Sequence, residues 1–430
     1  MKKPLLPLLA LAAFAAQAHY STSPLPVGVN LADSICNDSI CYINLPSDSL
    51  VADSLDADSV FAALPYPERC RAALDSLLAE EMFCKSQVGL MVYDLDGDSV
   101  VYAHGERQLL RPASTMKVLT AVAALDHLGA RHRMTTTLRA DGERDSTTLR
   151  GNLYLHGTMN PLFGDYDMDC FVEGVKALGV DTIIGGIVAD RSFKEDTPLG
   201  EGWCWDDDNP ALTPLPYRRR DNFAAVLRQR LERQGLAVLG ADSIGRAPHD
   251  AVVVAERYAD LTAVLYKMMK DSDNMCAEAV FYQLGAAGGK TSTAERAKAA
   301  ERETLRRANV ANDACRIADG SGLSLYNYMT AETEVKVLRY AYHNKKVFGE
   351  LCQSLPRAGV DGTLRRRMRR APMLDNVRAK TGTVKGVSSL AGYATAPNGN
   401  LMAFCIINQG ITSSAAAHRF QDNVCRAICE

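Results

Sequence analysis

Ser114 and Lys117 stand three residues apart in RPASTMKVLTAVAALDHLG (111–129), at the front of an otherwise apolar stretch. Residues i and i+3 share one face of a helix, so the lysine amine lies one turn behind the serine hydroxyl on the same side. A serine hydroxyl is a weak nucleophile until a neighbouring base takes its proton. A lysine becomes such a base when burial disfavours its charged form, and a second cation nearby acts in the same direction. The sequence offers that cation in Lys380-Thr381-Gly382, and a further polar element in Ser272-Asp273-Asn274. Composition alone produces about one S-x-x-K in a chain of this length, whereas each tripeptide is expected on the order of 0.1 times. All three in this order point to acyl transfer through a serine nucleophile.

Each residue type has a task in that chemistry. Ser114 is the expected nucleophile, at a helix N-terminus where the dipole favours developing negative charge, and Lys117 the expected general base. Ser272 is placed to pass a proton to a leaving amine, and Asn274 offers a donor and an acceptor for a substrate peptide bond. Lys380 supplies positive charge for a substrate carboxylate, Thr381 a hydroxyl for the same group, and Gly382 a close approach of the strand to the substrate. The backbone N–H groups of Ser114 and Thr383 are the expected oxyanion hole. No G-x-S-x-G elbow is present, there is no C-x-x-C, and the histidines are scattered, so neither a Ser-His-Asp arrangement nor a zinc site is expected. No cofactor is called for.

The elements around these residues suggest how they are held. Pro112 suits a first helical turn, Val118, Leu119, Val122 and Leu125 form an apolar stripe, and Gly129 is a stop signal. Before this helix, PERCRAALDSLLAEEM reads as a helix, and VGLMVYDL and SVVYAHG read as strands joined at Asp96–Asp98. SSLAGYATAPNGNLMAFCIINQG gives two more strands around Asn398–Gly399, and AAAHRFQDNVCRAICE a closing helix. Strands at both ends with helices between them predict one antiparallel sheet built from both ends of the chain, an α/β (α+β) class with flanking helices. Between about Met134 and Asp250 the texture changes to short β-like pieces and one helix, NFAAVLRQRLERQG. That stretch is the expected inserted domain (134–249), leaving 67–133 and 250–430 for the catalytic domain.

The chain has 430 residues and a formal net charge of −3, which gives no reason to expect a nucleic-acid partner. MKKPLLPLLALAAFAAQA predicts a signal peptide over 1–18, and the Ser- and Asp-rich 19–66 a flexible tether. No later window offers about 18 uninterrupted apolar residues, so no transmembrane anchor is expected. Outside the cytoplasm the 12 cysteines are free to form disulfides; Cys36 and Cys41 close a short loop, and Cys425 and Cys429 are spaced to share a helix face. Buried free thiols are the other reading.

The three motifs together with IIGGIVADRSF (183–193), GWCWDDDNPALTPL (202–215), IADGSGLSLYN (317–327) and AGVDGTLRRRM (358–368) resemble the S13 peptidase family of low-molecular-mass penicillin-binding proteins, the D-alanyl-D-alanine carboxypeptidases and endopeptidases. The resemblance covers most of residues 70–410. It implies a transpeptidase-like core, insertion between the S-x-x-K and S-x-N elements, peptidoglycan stem peptides as substrates, β-lactams as inhibitors, and a periplasmic or secreted location. Two departures stand out. The second inserted domain of the family looks absent, because ALTPLPYRRR runs almost directly into the next helix. An acidic turn typical of the family is Gly157-Thr158-Met159-Asn160-Pro161 here, so Asn160 stands where an aspartate is thought to meet the amino group of the stem. A non-hydrolytic penicillin-recognising wall-binding module and a serine β-lactamase are the alternative functions for the same residues.

Overall fold

The computed structural model describes residues 64–205 and 209–430. Five antiparallel strands form the sheet on which the site stands, in the spatial order Arg378–Val384, Val387–Thr395, Leu401–Gln409, Gln87–Asp94, Ser99–His104. Strands from both ends of the chain therefore share one sheet, as the sequence predicts. Successive side chains point to opposite faces. Met91, Ala391, Tyr393, Cys405 and Ile407 enter one apolar cluster, while Leu90, Val92, Leu390, Phe404 and Ile406 enter another. Because both faces are covered, MAFCII in the central strand reads as an unbroken apolar run.

On the first face lies the helix Met116–His127, with Leu261–Lys270, Asn274–Gly285 and Ala331–His343 in the same cluster. Every residue from Met116 to Leu125 is buried, so this helix is enclosed on all sides rather than along the predicted stripe. Lys117 is the charged residue within that run. The opposite face is covered by Tyr66–Leu78 and Ser414–Cys429, which bury Cys70, Cys425 and Cys429 as free thiols. The cysteines of the described residues are all free.

The chain between these halves builds a second five-stranded sheet, Ser243–Ile244, Ile187–Asp190, Leu153–Gly157, Arg133–Ala140 and Val252–Asp260 in spatial order, with its own apolar cluster. Val252–Asp260 pairs antiparallel along Arg133–Ala140, so this sheet runs past residue 249: the strand leaving the core is hydrogen-bonded to the strand returning to it. A second helix, Asp165–Ala177, accompanies the expected Phe223–Arg233. It buries Met168, Phe171, Val172 and Val175 at i, i+3, i+4 and i+7, and its acidic first turn suits the helix dipole. The acidic residues and Gly174 mask that periodicity in the sequence.

The signal peptide over 1–18, nearly all of the tether over 19–66, and Cys36 and Cys41 lie outside the described residues. Among the described residues no helix is long and apolar enough to cross a membrane.

Candidate active site

Ser114 sits in a single 3₁₀ turn, Ala113–Thr115, which runs straight into the helix beginning at Met116. The turn starts with Ala113 at φ 49°, a left-handed conformation that non-glycine residues adopt only where their surroundings enforce it. Ser389 Oγ donates to the Pro112 carbonyl at 2.6 Å and Thr115 Oγ1 to the same carbonyl at 2.9 Å, which fixes the turn from both sides. On its third side it meets Gly322, where an added Cβ would come within 1.8 Å of the Ala113 carbonyl oxygen. The serine hydroxyl is thus aimed by strained backbone that the strand of Ser389, the loop of Gly322 and the turn's own Thr115 hydroxyl hold.

Lys117 is fully buried. Its Nζ donates to Ser114 Oγ at 2.9 Å, to Asn274 Oδ1 at 2.8 Å and to the Ser321 carbonyl at 2.6 Å. All three acceptors are neutral. Burial pushes the Lys117 amine down to about 8, against the upward pull of the Asp319, Glu278 and Asp273 carboxylates. Asn274 opens the helix Asn274–Gly285, whose N-cap Asp273 accepts from the Cys276 N–H at 2.8 Å. Asn274 Oδ1 is therefore committed to the lysine, which leaves its amide N–H groups for a substrate.

A second set forms on the edge strand. Lys380 Nζ donates to Ser272 Oγ at 2.9 Å and to the Thr381 carbonyl at 2.6 Å. Ser272, at φ 59°, is itself held in left-handed backbone. Lys380 is completely buried, and that burial, with Lys117 beside it, holds its amine well below the ordinary lysine range. The enclosed Lys380 amine thus faces the cleft by way of the Ser272 hydroxyl. Hydroxyls take the exposed position instead, since Thr381 Oγ1 donates to Thr363 Oγ1 at 2.7 Å. Thr363 belongs to the DGTL turn, which Asp361 anchors to Lys270 at 2.7 Å and to Arg357 at 2.9 Å.

The backbone of the edge strand completes the arrangement. Ala379 N–H donates outward to the Pro356 carbonyl, and alternation along an antiparallel strand turns the N–H groups of Thr381 and Thr383 to the same free edge. Gly382 lies against the turn, a built Cβ falling 2.9 Å from Ser114 N. Gly382 thus brings the edge strand, with the Thr383 N–H on its free edge, against the turn that carries Ser114.

The structure thus brings Ser114, Lys117 and Asn274 into one hydrogen-bonded set and Ser272, Lys380 and Thr381 into another, with Gly382 against the Ser114 turn. Asn160 behaves differently: it is buried and its Oδ1 accepts from Leu162 N–H at 3.0 Å within its own turn. Sequence reasoning left Ser321, Asp319 and Thr363 without roles. Asp319 accepts from Gly322 N, Ser324 N, Asn327 Nδ2 and Trp203 Nε1 at 2.7–2.8 Å, and so sets the loop that presents the Ser321 carbonyl to Lys117. The signal was there in the turn-forming DGSG, but nothing in it assigns a backbone carbonyl to a lysine.

Residues 70–216 and 218–428 match the profile of the D-Ala-D-Ala carboxypeptidase 3 (S13) family. The chain is 28% identical over 457 residues to the D-alanyl-D-alanine carboxypeptidase of Actinomadura sp. strain R39, covering 84% of each. Its fold is similar to the crystal structure of penicillin binding protein 4 (dacB) from Haemophilus influenzae, with a TM-score of 0.74 at 24% identity over 82% of this chain and 98% of that one. Bd3459, a predatory peptidoglycan endopeptidase from Bdellovibrio bacteriovorus, also shares the fold, with a TM-score of 0.55 at 16% identity over 80% and 93%.

Proposed function

The chain belongs to the S13 family, and from that premise we propose that it is an exported, penicillin-sensitive serine DD-peptidase that cleaves D-Ala-D-Ala stems of peptidoglycan through an acyl-enzyme on Ser114. The observation that carries this reading is the fully buried Lys117 with its amine 2.9 Å from Ser114 Oγ and no carboxylate among its hydrogen-bond partners. An amine so placed accepts a proton near neutral pH.

In acylation Ser114 Oγ attacks the carbonyl of the penultimate D-alanine while its proton passes to Lys117 Nζ. The Ser114 and Thr383 N–H groups bind the oxyanion, and Asn274 Nδ2 donates to the substrate amide carbonyl. The C–N bond breaks as the Ser272 hydroxyl, hydrogen-bonded to Lys380, delivers a proton to the departing amine and is replenished with the proton that Lys117 took, which leaves Lys117 neutral again. Hydroxyls of Thr381 and Thr363 hold the terminal carboxylate. Water then attacks the ester as the neutral Lys117 takes its proton, and Lys117 returns that proton to Ser114 Oγ as the ester C–O bond breaks, which frees Ser114. A β-lactam enters the same path, but its leaving nitrogen stays tethered to the acyl group, so the ester persists.

The stretch ALTPLPYRRR leads almost directly to the helix Phe223–Arg233, in keeping with loss of the second family insertion. A cleft lacking that wall admits a cross-linked peptide as well as a linear stem, and both carboxypeptidase and endopeptidase activity follow. Digestion of purified peptidoglycan, with Ser114→Ala as the blank and mass analysis of the fragments, is expected to show release of terminal D-alanine and conversion of cross-linked dimers to monomers. Dimers left intact beside trimmed stems would reject the dual activity; fragments identical to the blank would reject the peptidase.

A further inference from the structure

Behind the Lys117 amine lies a buried carboxyl that the reaction as described does not use. Glu278 is 1% exposed and follows Asn274 by four residues, one turn along the same helical face. Its Oε1 accepts from the Ser321 N–H at 2.9 Å, and the carbonyl of that same Ser321 accepts from Lys117 Nζ at 2.6 Å. Ser321 is thereby held between the two charged groups. Its neighbours are pinned as well: the Gly320 carbonyl accepts from Thr120 Oγ1 and the Gly322 N–H donates to Asp319. A carboxyl buried this deeply costs several kcal/mol when ionised unless a cation compensates it, and Lys117 is the cation it faces.

We propose that Glu278 is a positioning residue for acylation: through Ser321 it fixes Lys117 Nζ against Ser114, and its carboxylate is the counter-charge for the ammonium that Lys117 becomes on taking the serine proton. This rests on the reading of Lys117 as the base. The charged and titratable groups around Glu278 are Lys117 from the enclosed helix, Asp319 from the loop, Glu301 from the helix Ala294–Arg307, and Asp273 and Tyr282 from its own helix, with Lys380 facing Lys117 from the sheet. Burial and Asp319 push Glu278 up to about 8, while Ser321 and Lys117 pull it back. Lys117, itself near 8, titrates in the same range, so the two compete for protons.

The sign of the effect follows. Acylation needs the neutral amine, so its rate rises with pH as Lys117 loses its proton. A negative charge at Glu278 strengthens the hold of Lys117 on that proton, and removing the charge moves the rise to lower pH. Glu278→Gln keeps an acceptor for the Ser321 N–H and deletes the charge, whereas Glu278→Ala deletes both. Glu301 serves as the control, because it is as deeply buried but accepts from Thr120 Oγ1 rather than from Ser321, so Glu301→Gln leaves the link through Ser321 to Lys117 in place.

The test is the second-order rate of acylation by a fluorescent penicillin from pH 5 to 10, for full-length wild type and the three variants, each checked for folding by thermal melting. In Glu278→Gln the acidic limb is expected to move down by about one pH unit. Glu278→Ala is expected to fall ~100-fold further in maximal rate than Glu278→Gln, as misplacement of the base dictates. Glu301→Gln is expected to keep the wild-type limb. A folded Glu278→Gln that acylates with the wild-type limb, or a Glu301→Gln that shifts equally, would overturn the role of Glu278 even if Glu278→Ala did not fold. Failure of the wild type to acylate at any pH would instead overturn the acyl-enzyme reading, and this proposal with it.

Discussion

Lys117→Met is expected to lower the rate of acylation by a fluorescent penicillin about 10³-fold while the protein stays folded. Methionine matches the volume of the buried stem and removes the amine that touches Ser114 Oγ and can take its proton. The fold survives because the effects oppose each other. Deleting the amine leaves Asn274 Oδ1 and the Ser321 carbonyl without that donor, and relieves the desolvation of a charge; each is worth a few kcal/mol. The wild-type rate should rise with pH through a limb near the value of about 8 to which burial brings Lys117. The residual rate of the variant should lack that limb, because the group responsible is gone. Stopped-flow acylation with parallel melting curves decides the matter, and a variant within threefold of wild type would remove Lys117 from the role of base.

Gly382→Ala is the second large effect. A Cβ at this position would lie 2.2 Å from Ser389 Oγ and 2.9 Å from both the Pro112 carbonyl oxygen and Ser114 N. The hydroxyl is already committed to the Pro112 carbonyl, and the other two atoms are backbone of the strained turn, so relief comes only by moving the edge strand off that turn. The movement separates the Thr383 N–H from the Ser114 N–H. Loss of one oxyanion donor costs roughly 10²–10³ in rate, and that is the expected fall for both acylation and D-alanine release. Because the damage lies at the transition state, it should appear in kcat more than in KM. A Gly382→Ala variant with wild-type kcat would show that the strand approaches the turn for packing alone.

How far the sequence could be read depends on which atoms carry each part of the site. The side chains of Ser114, Lys117, Ser272, Asn274 and Lys380 were legible because their spacing is fixed by local geometry or by short motifs rare in random sequence. The sheet was legible from strand texture at both ends and the turns at Asp96–Asp98 and Asn398–Gly399. Ser321 was not, since it acts through its carbonyl oxygen, which every residue possesses. Enclosure of Lys380 is likewise a tertiary fact: one lysine at the start of K-T-G looks the same whether its amine meets solvent or Ser272. Glu278 stood at helical spacing from Asn274, but such pairs are common, and its bond to a loop more than forty residues away is invisible locally. The helix Asp165–Ala177 was obscured because its acidic residues lie on the exposed face while only its buried face keeps the period.

The central claim is that Ser114 carries the acyl group, and peptide mapping after exposure to benzylpenicillin tests it most directly. Wild-type protein is expected to gain the mass of one penicillin molecule, with the adduct on Ser114 in the proteolytic peptide that contains it, while Ser114→Ala gains none. An adduct on another residue, an equal gain by Ser114→Ala, or a wild-type protein that stays unmodified under conditions where its peptidase activity is lost would contradict it.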